Sequence, residues 1–89
     1  MAYKLVLSDD ALKQLKKMDR HVGLMLAKDL KKRLDGLEHP RQFGKALIGE
    51  YKGLWRYRIG NYRVICEIID DKMVILALEV GHRKEIYKK

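Results

Sequence analysis

Six side chains toward the C-terminal end of this 89-residue chain have the types and spacing for chemistry on a phosphodiester. Arg56 and Arg58 alternate along one short segment, Arg63 follows closely, and His82, Arg83 and Tyr87 come near the end. Arginine forks bind phosphate oxygens two at a time and stabilise the extra charge of a phosphorane-like transition state. An imidazole exchanges protons near neutral pH. A phenol stacks on a base or positions a proton. Together these groups fit cleavage of RNA. No carboxylate cluster stands nearby to hold magnesium, so neither metal nor other cofactor is expected. The attacking group would then be the RNA's own 2′-hydroxyl. On these residues alone, a basic sheet that binds RNA without cutting it stays open as the alternative.

The elements that must position this set follow from the local pattern. Gly60-Asn61 reads as a two-residue hairpin loop between strands 54–59 and 62–69. Ile59 then pairs with Tyr62, Arg58 lies opposite Arg63, and Arg56 lies opposite Ile65. Trp55, Tyr57, Ile59, Tyr62, Val64, Cys66 and Ile68 alternate onto the other, apolar face. Cys66 is therefore expected as a small core residue. Like charges directly opposite one another destabilise a hairpin, so folding alone gives no reason for Arg58 to face Arg63. A third strand, 73–80, follows the turn Asp70 to Lys72. If that turn keeps even parity, Val80 and His82 join the arginine face near Arg63, with Arg83 and Tyr87 at the sheet's end.

Upstream, Tyr3 to Leu7 reads as a short strand. Ser8 offers an N-cap oxygen, and Asp9 and Asp10 suit the positive end of a helix over 9–18, with Ala11, Leu12, Leu15 and Met18 on one face. Asp19 can cap a second helix carrying Val22, Leu26, Leu30, Leu34 and Leu37, flanked by Met25, with Gly36 and Pro40 marking its end. Residues 41–53 read as a loop with a short strand near 45–48. His21 and His39 read as surface positions. The order predicts a single α+β domain over 1–89: an N-terminal strand, two helices, then a C-terminal antiparallel sheet with the helices against one face.

Composition narrows the partners. The chain carries 20 Lys plus Arg against 12 Asp plus Glu, a net charge of +8. The excess concentrates in residues 41–63 and in the last eight, which favours a polyanionic partner over a merely soluble surface. Lys45, Lys52, Lys84 and Lys88 are further candidates for contact with RNA. The single cysteine excludes an intramolecular disulfide framework and a cysteine zinc site. No apolar run approaches the roughly 18 residues of a membrane span. The first residues lack the pattern of a signal peptide, so the cytoplasm is expected and no membrane partner is.

The stretches LWRYRIGNYRVICEI (54–68), DDK (70–72), MVILALEVG (73–81) and HRKEIY (82–87) resemble the RelE/ParE superfamily of bacterial toxins, and YKLVLSDDALKQLKKMD (3–19) is similar as well. The resemblance implies a strand, two helices and a C-terminal antiparallel sheet. It also implies cleavage of messenger RNA in the ribosomal A site, so the partners would be the ribosome, mRNA and a RelB-like antitoxin that wraps the toxin in a hetero-oligomer. Arg56, Arg58, Arg63, Arg83 and Tyr87 match the family's functional positions. ParE relatives poison DNA gyrase and usually lack this full set, so a RelE-like activity is favoured. A gyrase inhibitor and a catalytically weak partner in a repressor complex are the alternatives. RelE representatives often carry Lys where Arg56 and Arg58 stand. Arginine does not give up its proton in proteins, which leaves proton transfer to His82 or Tyr87.

Overall fold

The computed structural model describes residues 1–82, so the sequence-derived positions Arg83, Lys84, Tyr87 and Lys88 lie outside it. The elements run β1 (Lys4–Leu7), α1 (Asp9–Lys17), α2 (Arg20–Leu34), β2 (Lys45–Ala46), β3 (Trp55–Ile59), β4 (Tyr62–Ile69) and β5 (Val74–His82). Both helix starts are capped as their sequences require. Ser8 Oγ accepts from the Ala11 N–H at 3.1 Å. Asp19 Oδ2 accepts from the N–H groups of His21 and Val22 at 3.2 and 3.4 Å. These side chains replace the intrahelical partners that the first turn lacks. Gly23 lets the two helices approach closely, since a Cβ there would sit 2.5 Å from the Leu15 carbonyl oxygen.

The strands form one five-stranded sheet in the order β1-β5-β4-β3-β2. Strands β2 to β5 are antiparallel neighbours, while β1 lies parallel against β5, with Lys4 beside Val74 and Leu7 beside Ala77. The two-residue turn sets the register expected from the sequence: Ile59 pairs with Tyr62, Arg58 with Arg63 and Arg56 with Ile65.

The parity of β5 differs from the expectation. Cys66 pairs with Ala77 but Ile65 pairs with Glu79, so Leu78 is an extra residue in the ladder. This β-bulge exchanges the two faces of everything after it. Val80 pairs with Val64, and His82 with Tyr62. Both therefore lie on the helix-facing side, not beside Arg63. Val80 is buried there, and the His82 ring meets Tyr62 edge-on, centroids 5.8 Å apart. The bulge is held from the neighbouring segment. Ser8 Oγ donates to the Leu78 carbonyl at 3.1 Å, and the Val80 N–H donates to Gln14 Oε1 at 2.6 Å.

The core lies between the helices and this inner face. Ala11 and Leu15 of α1 and Leu26, Leu30 and Leu34 of α2 meet Tyr57, Ile59, Val64, Cys66, Ile75, Ala77 and Val80. Fully burying one large apolar side chain stabilises a fold by about 1.5–3 kcal/mol, so this layer holds the arginine-bearing sheet in place. At the sheet's far end Arg41 grips both oxygens of Asp70 at 2.9 Å, and the Tyr3 hydroxyl donates to the same carboxylate at 2.7 Å. This cluster ties the loop after α2 to the β4–β5 turn and to the start of β1.

Candidate nucleic-acid interface

The outer face of the sheet carries two successive rows of cross-strand neighbours. One row runs Lys45, Arg56, Ile65, Glu79; the next runs Arg58, Arg63, Gly81. Arg58 and Lys45 are exposed, whereas Arg56 and Arg63 are half-buried. Ile65 is fully buried although it belongs to this face. The Arg56 Nε has no solvent exposure and no hydrogen-bond partner among the described residues. A buried N–H of this kind costs stability unless something accepts from it.

The sequence-derived set is thus brought together in part. Arg56, Arg58, Arg63 and Lys45 share the face. Lys52 is exposed at the end of the short turn Gly49–Tyr51, outside the two rows. His82 is turned to the opposite side by the bulge. Cys66 is fully buried in the core, and burial pushes its thiol up to about 12; the thiol is structural, as expected. His21 and His39 are exposed. Among the described residues no group of His, Cys, Asp and Glu is arranged to hold a metal ion, and no helix is long and apolar enough to cross a membrane.

One feature of the site is not visible in the alternation of strands. A pocket of about 500 Å³ opens beside the arginine rows, lined by Leu34, Leu37, Arg56, Tyr57, Arg58 and Ile59. Phe43, Gly44, Lys45 and Arg33 complete it. The Tyr57 hydroxyl donates to the Pro40 carbonyl at 2.6 Å, and burial raises its pKa, so it stays a neutral wall. Gly44 has φ +75°, and a Cβ there would collide with the Arg56 carbonyl oxygen. Only glycine lets the loop close so tightly on β3. The Phe43-Gly44 pair was the available signal, but nothing in the loop's sequence placed it against β3.

Comparison with known proteins agrees with this geometry. The family model for the ParE toxin of type II toxin-antitoxin systems matches residues 5–87. The mRNA interferase toxin RelE of Escherichia coli (strain K12) is 35% identical over 95 residues, covering 100% of this chain and 94% of that protein. The crystal structure of the isolated E. coli RelE toxin matches with a TM-score of 0.65 at 31% identity, covering 97% of this chain and 92% of that one. The toxin-antitoxin complex RelBE2 of Mycobacterium tuberculosis matches with a TM-score of 0.74 at 25% identity, covering 93% of this chain and 100% of the matched one. The chain belongs to the RelE/ParE superfamily and is a toxin of a type II toxin-antitoxin system.

Proposed function

We propose that this toxin is a ribosome-dependent endoribonuclease that cleaves mRNA in the A site and thereby stops translation. The observation that carries the reading is the placement of Arg58 directly opposite Arg63, with Arg56 and Lys45 in the adjoining row. Such a cluster opposes folding of the hairpin and suits a phosphodiester. In the proposed reaction the 2′-oxygen attacks the adjacent phosphorus while the bond to the 5′-oxygen breaks. The products are a 2′,3′-cyclic phosphate and a 5′-hydroxyl. Arg56, Arg58 and Arg63 hold the non-bridging oxygens and stabilise their added charge. Arg83 joins them; Tyr87, ionised, takes the proton of the 2′-hydroxyl, and a proton from solvent ends on the departing 5′-oxygen. His82 has no part in the chemistry, because it belongs to the other face.

The site is a shallow sheet face, so the ribosome must hold the RNA in line for attack. Primer extension on translating mRNA, with and without the protein, tests the reading. Cuts within the A-site codon ending in a cyclic phosphate are expected, with naked mRNA a poor substrate. No cuts on ribosomes would overturn it. Because the matching family model is named for ParE toxins, gyrase supercoiling is assayed in parallel; inhibition there without mRNA cleavage would assign the fold to the other activity. We further propose that the toxin works in the cytoplasm and is controlled in a hetero-oligomer by a RelB-like antitoxin. RelB and RelE form the solved complex of E. coli, and an acidic or amphipathic antitoxin segment over the arginine rows would silence this toxin most directly. A complex that leaves Arg56, Arg58 and Arg63 open would exclude that masking.

A further inference from the structure

The pocket beside Arg56 and Arg58 is larger than phosphate binding needs. Its lining carries four cations, Arg33, Lys45, Arg56 and Arg58, and no acidic side chain. Its walls are otherwise apolar, and about 500 Å³ is in the range that encloses a small organic group. Phe43 lines it yet remains 54% exposed. The backbone beneath that ring is fixed twice. Trp55 Nε1–H donates to the Phe43 carbonyl at 2.6 Å, and the next residue, Gly44, closes on the Arg56 carbonyl. An aromatic side chain displayed on an immobilised backbone gives a stacking platform with little ordering left to do on binding.

We propose that this pocket seats one unpaired base of an RNA strand, stacked on Phe43, while the phosphate of the same nucleotide lies on the rim formed by Arg33, Arg56 and Arg58. Every nucleotide couples one anionic group to one flat ring, which is the pairing that this rim and these walls offer. The four cations argue against a purely apolar occupant. β2 pairs only with Trp55 and Arg56, so the strand from Tyr57 to Ile59 lines the pocket with no β2 residue beside it. The inference rests on the RNA reading above, since it extends the phosphate contacts of Arg56 and Arg58 by one base. Phe43, Leu37 and Arg33 then become determinants of which nucleotide is accepted beside the cut.

The test uses a 2′-O-methyl trinucleotide, which has no attacking hydroxyl, titrated into the free full-length toxin and followed by NMR. Resonances of Phe43 and Leu37 should shift. Phe43→Ala should weaken binding about tenfold or more, while Phe43→Tyr stays near wild type and both variants melt as wild type does. On ribosomes, Phe43→Ala should change which codons are cut. If wild type cuts and Phe43→Ala alters neither binding nor the pattern of cuts, the pocket inference falls and the nuclease stands. If wild type does not cut but binds the trinucleotide through Phe43, the nuclease falls and the base pocket stands. An acidic antitoxin peptide that shifts Phe43 when the trinucleotide does not would overturn the inference in favour of a protein occupant.

Discussion

At the scale of single residues, the site sets function against stability. Arg58→Ala removes one half of the Arg58–Arg63 pair, so it should melt at the same temperature as wild type or higher. Loss of a donor to transition-state charge typically costs roughly 10²–10³ in rate, and primer extension with Arg58→Ala should show a loss of that order. Equal losses of melting temperature and activity would make Arg58 a structural residue. Cys66 makes the opposite case. Its thiol is buried and pushed up to about 12, so little thiolate exists near neutrality. Alkylation should therefore proceed only at the rate of global unfolding and accelerate in urea; rapid labelling of the native toxin would show that the inner face opens. The arginine pairing was legible because Gly60-Asn61 leaves one register for the hairpin. Phe43 was not, because its position depends on a contact between Gly44 and β3 that no periodicity records.

At the scale of elements, β5 decides which residues reach the arginine face. The segment VILALEVGH is almost continuously apolar before Glu79, so neither alternation nor a glycine marks which residue is doubled. The expectation for Val80 and His82 followed even parity and failed at Leu78. What selects the bulge lies in α1 and the residue before it: Ser8 and Gln14 satisfy backbone groups of Leu78 and Val80. Gln14→Ala should leave the Val80 N–H without its acceptor and destabilise the toxin by about 1–3 kcal/mol. Gln14→Glu, which keeps an acceptor, should retain most of that stability. Equilibrium unfolding in urea checks both. The helices were readable at their starts, since Ser8 and Asp19 cap them and leucines recur on one face, but α2 stops at Leu34, so Leu37, expected on it, lies beyond its end.

At the scale of the whole molecule, the Arg41–Asp70–Tyr3 cluster joins three distant parts of the chain. The Arg41 fork, and after it the Tyr3 hydroxyl, hold the Asp70 carboxyl below its ordinary value. A carboxylate whose pKa is depressed by folding adds stability above its unfolded value of about 3.9, and that contribution disappears as pH falls through the lower folded value. The melting temperatures of wild type and Asp70→Asn should therefore differ most near neutral pH and converge in acid. A constant difference down to pH 2 would show that the cluster acts through packing alone.

The parallel pairing of β1 with β5 also bears on when this toxin can first become active. Lys4, made before the helices and every other strand, finds its partner only at Val74, and such distant pairing makes a late folding step. A nascent chain long enough to expose the complete arginine hairpin still lacks the strand between that hairpin and β1. Its sheet cannot close while β5 remains inside the ribosome that is making it. Ribosome-bound chains arrested with residues up to 73 emerged should be digested rapidly by protease, and chains released at full length should resist. The topology thus delays the birth of an active toxin until β5 has cleared the ribosome that makes it, an interval in which a waiting antitoxin can meet it first.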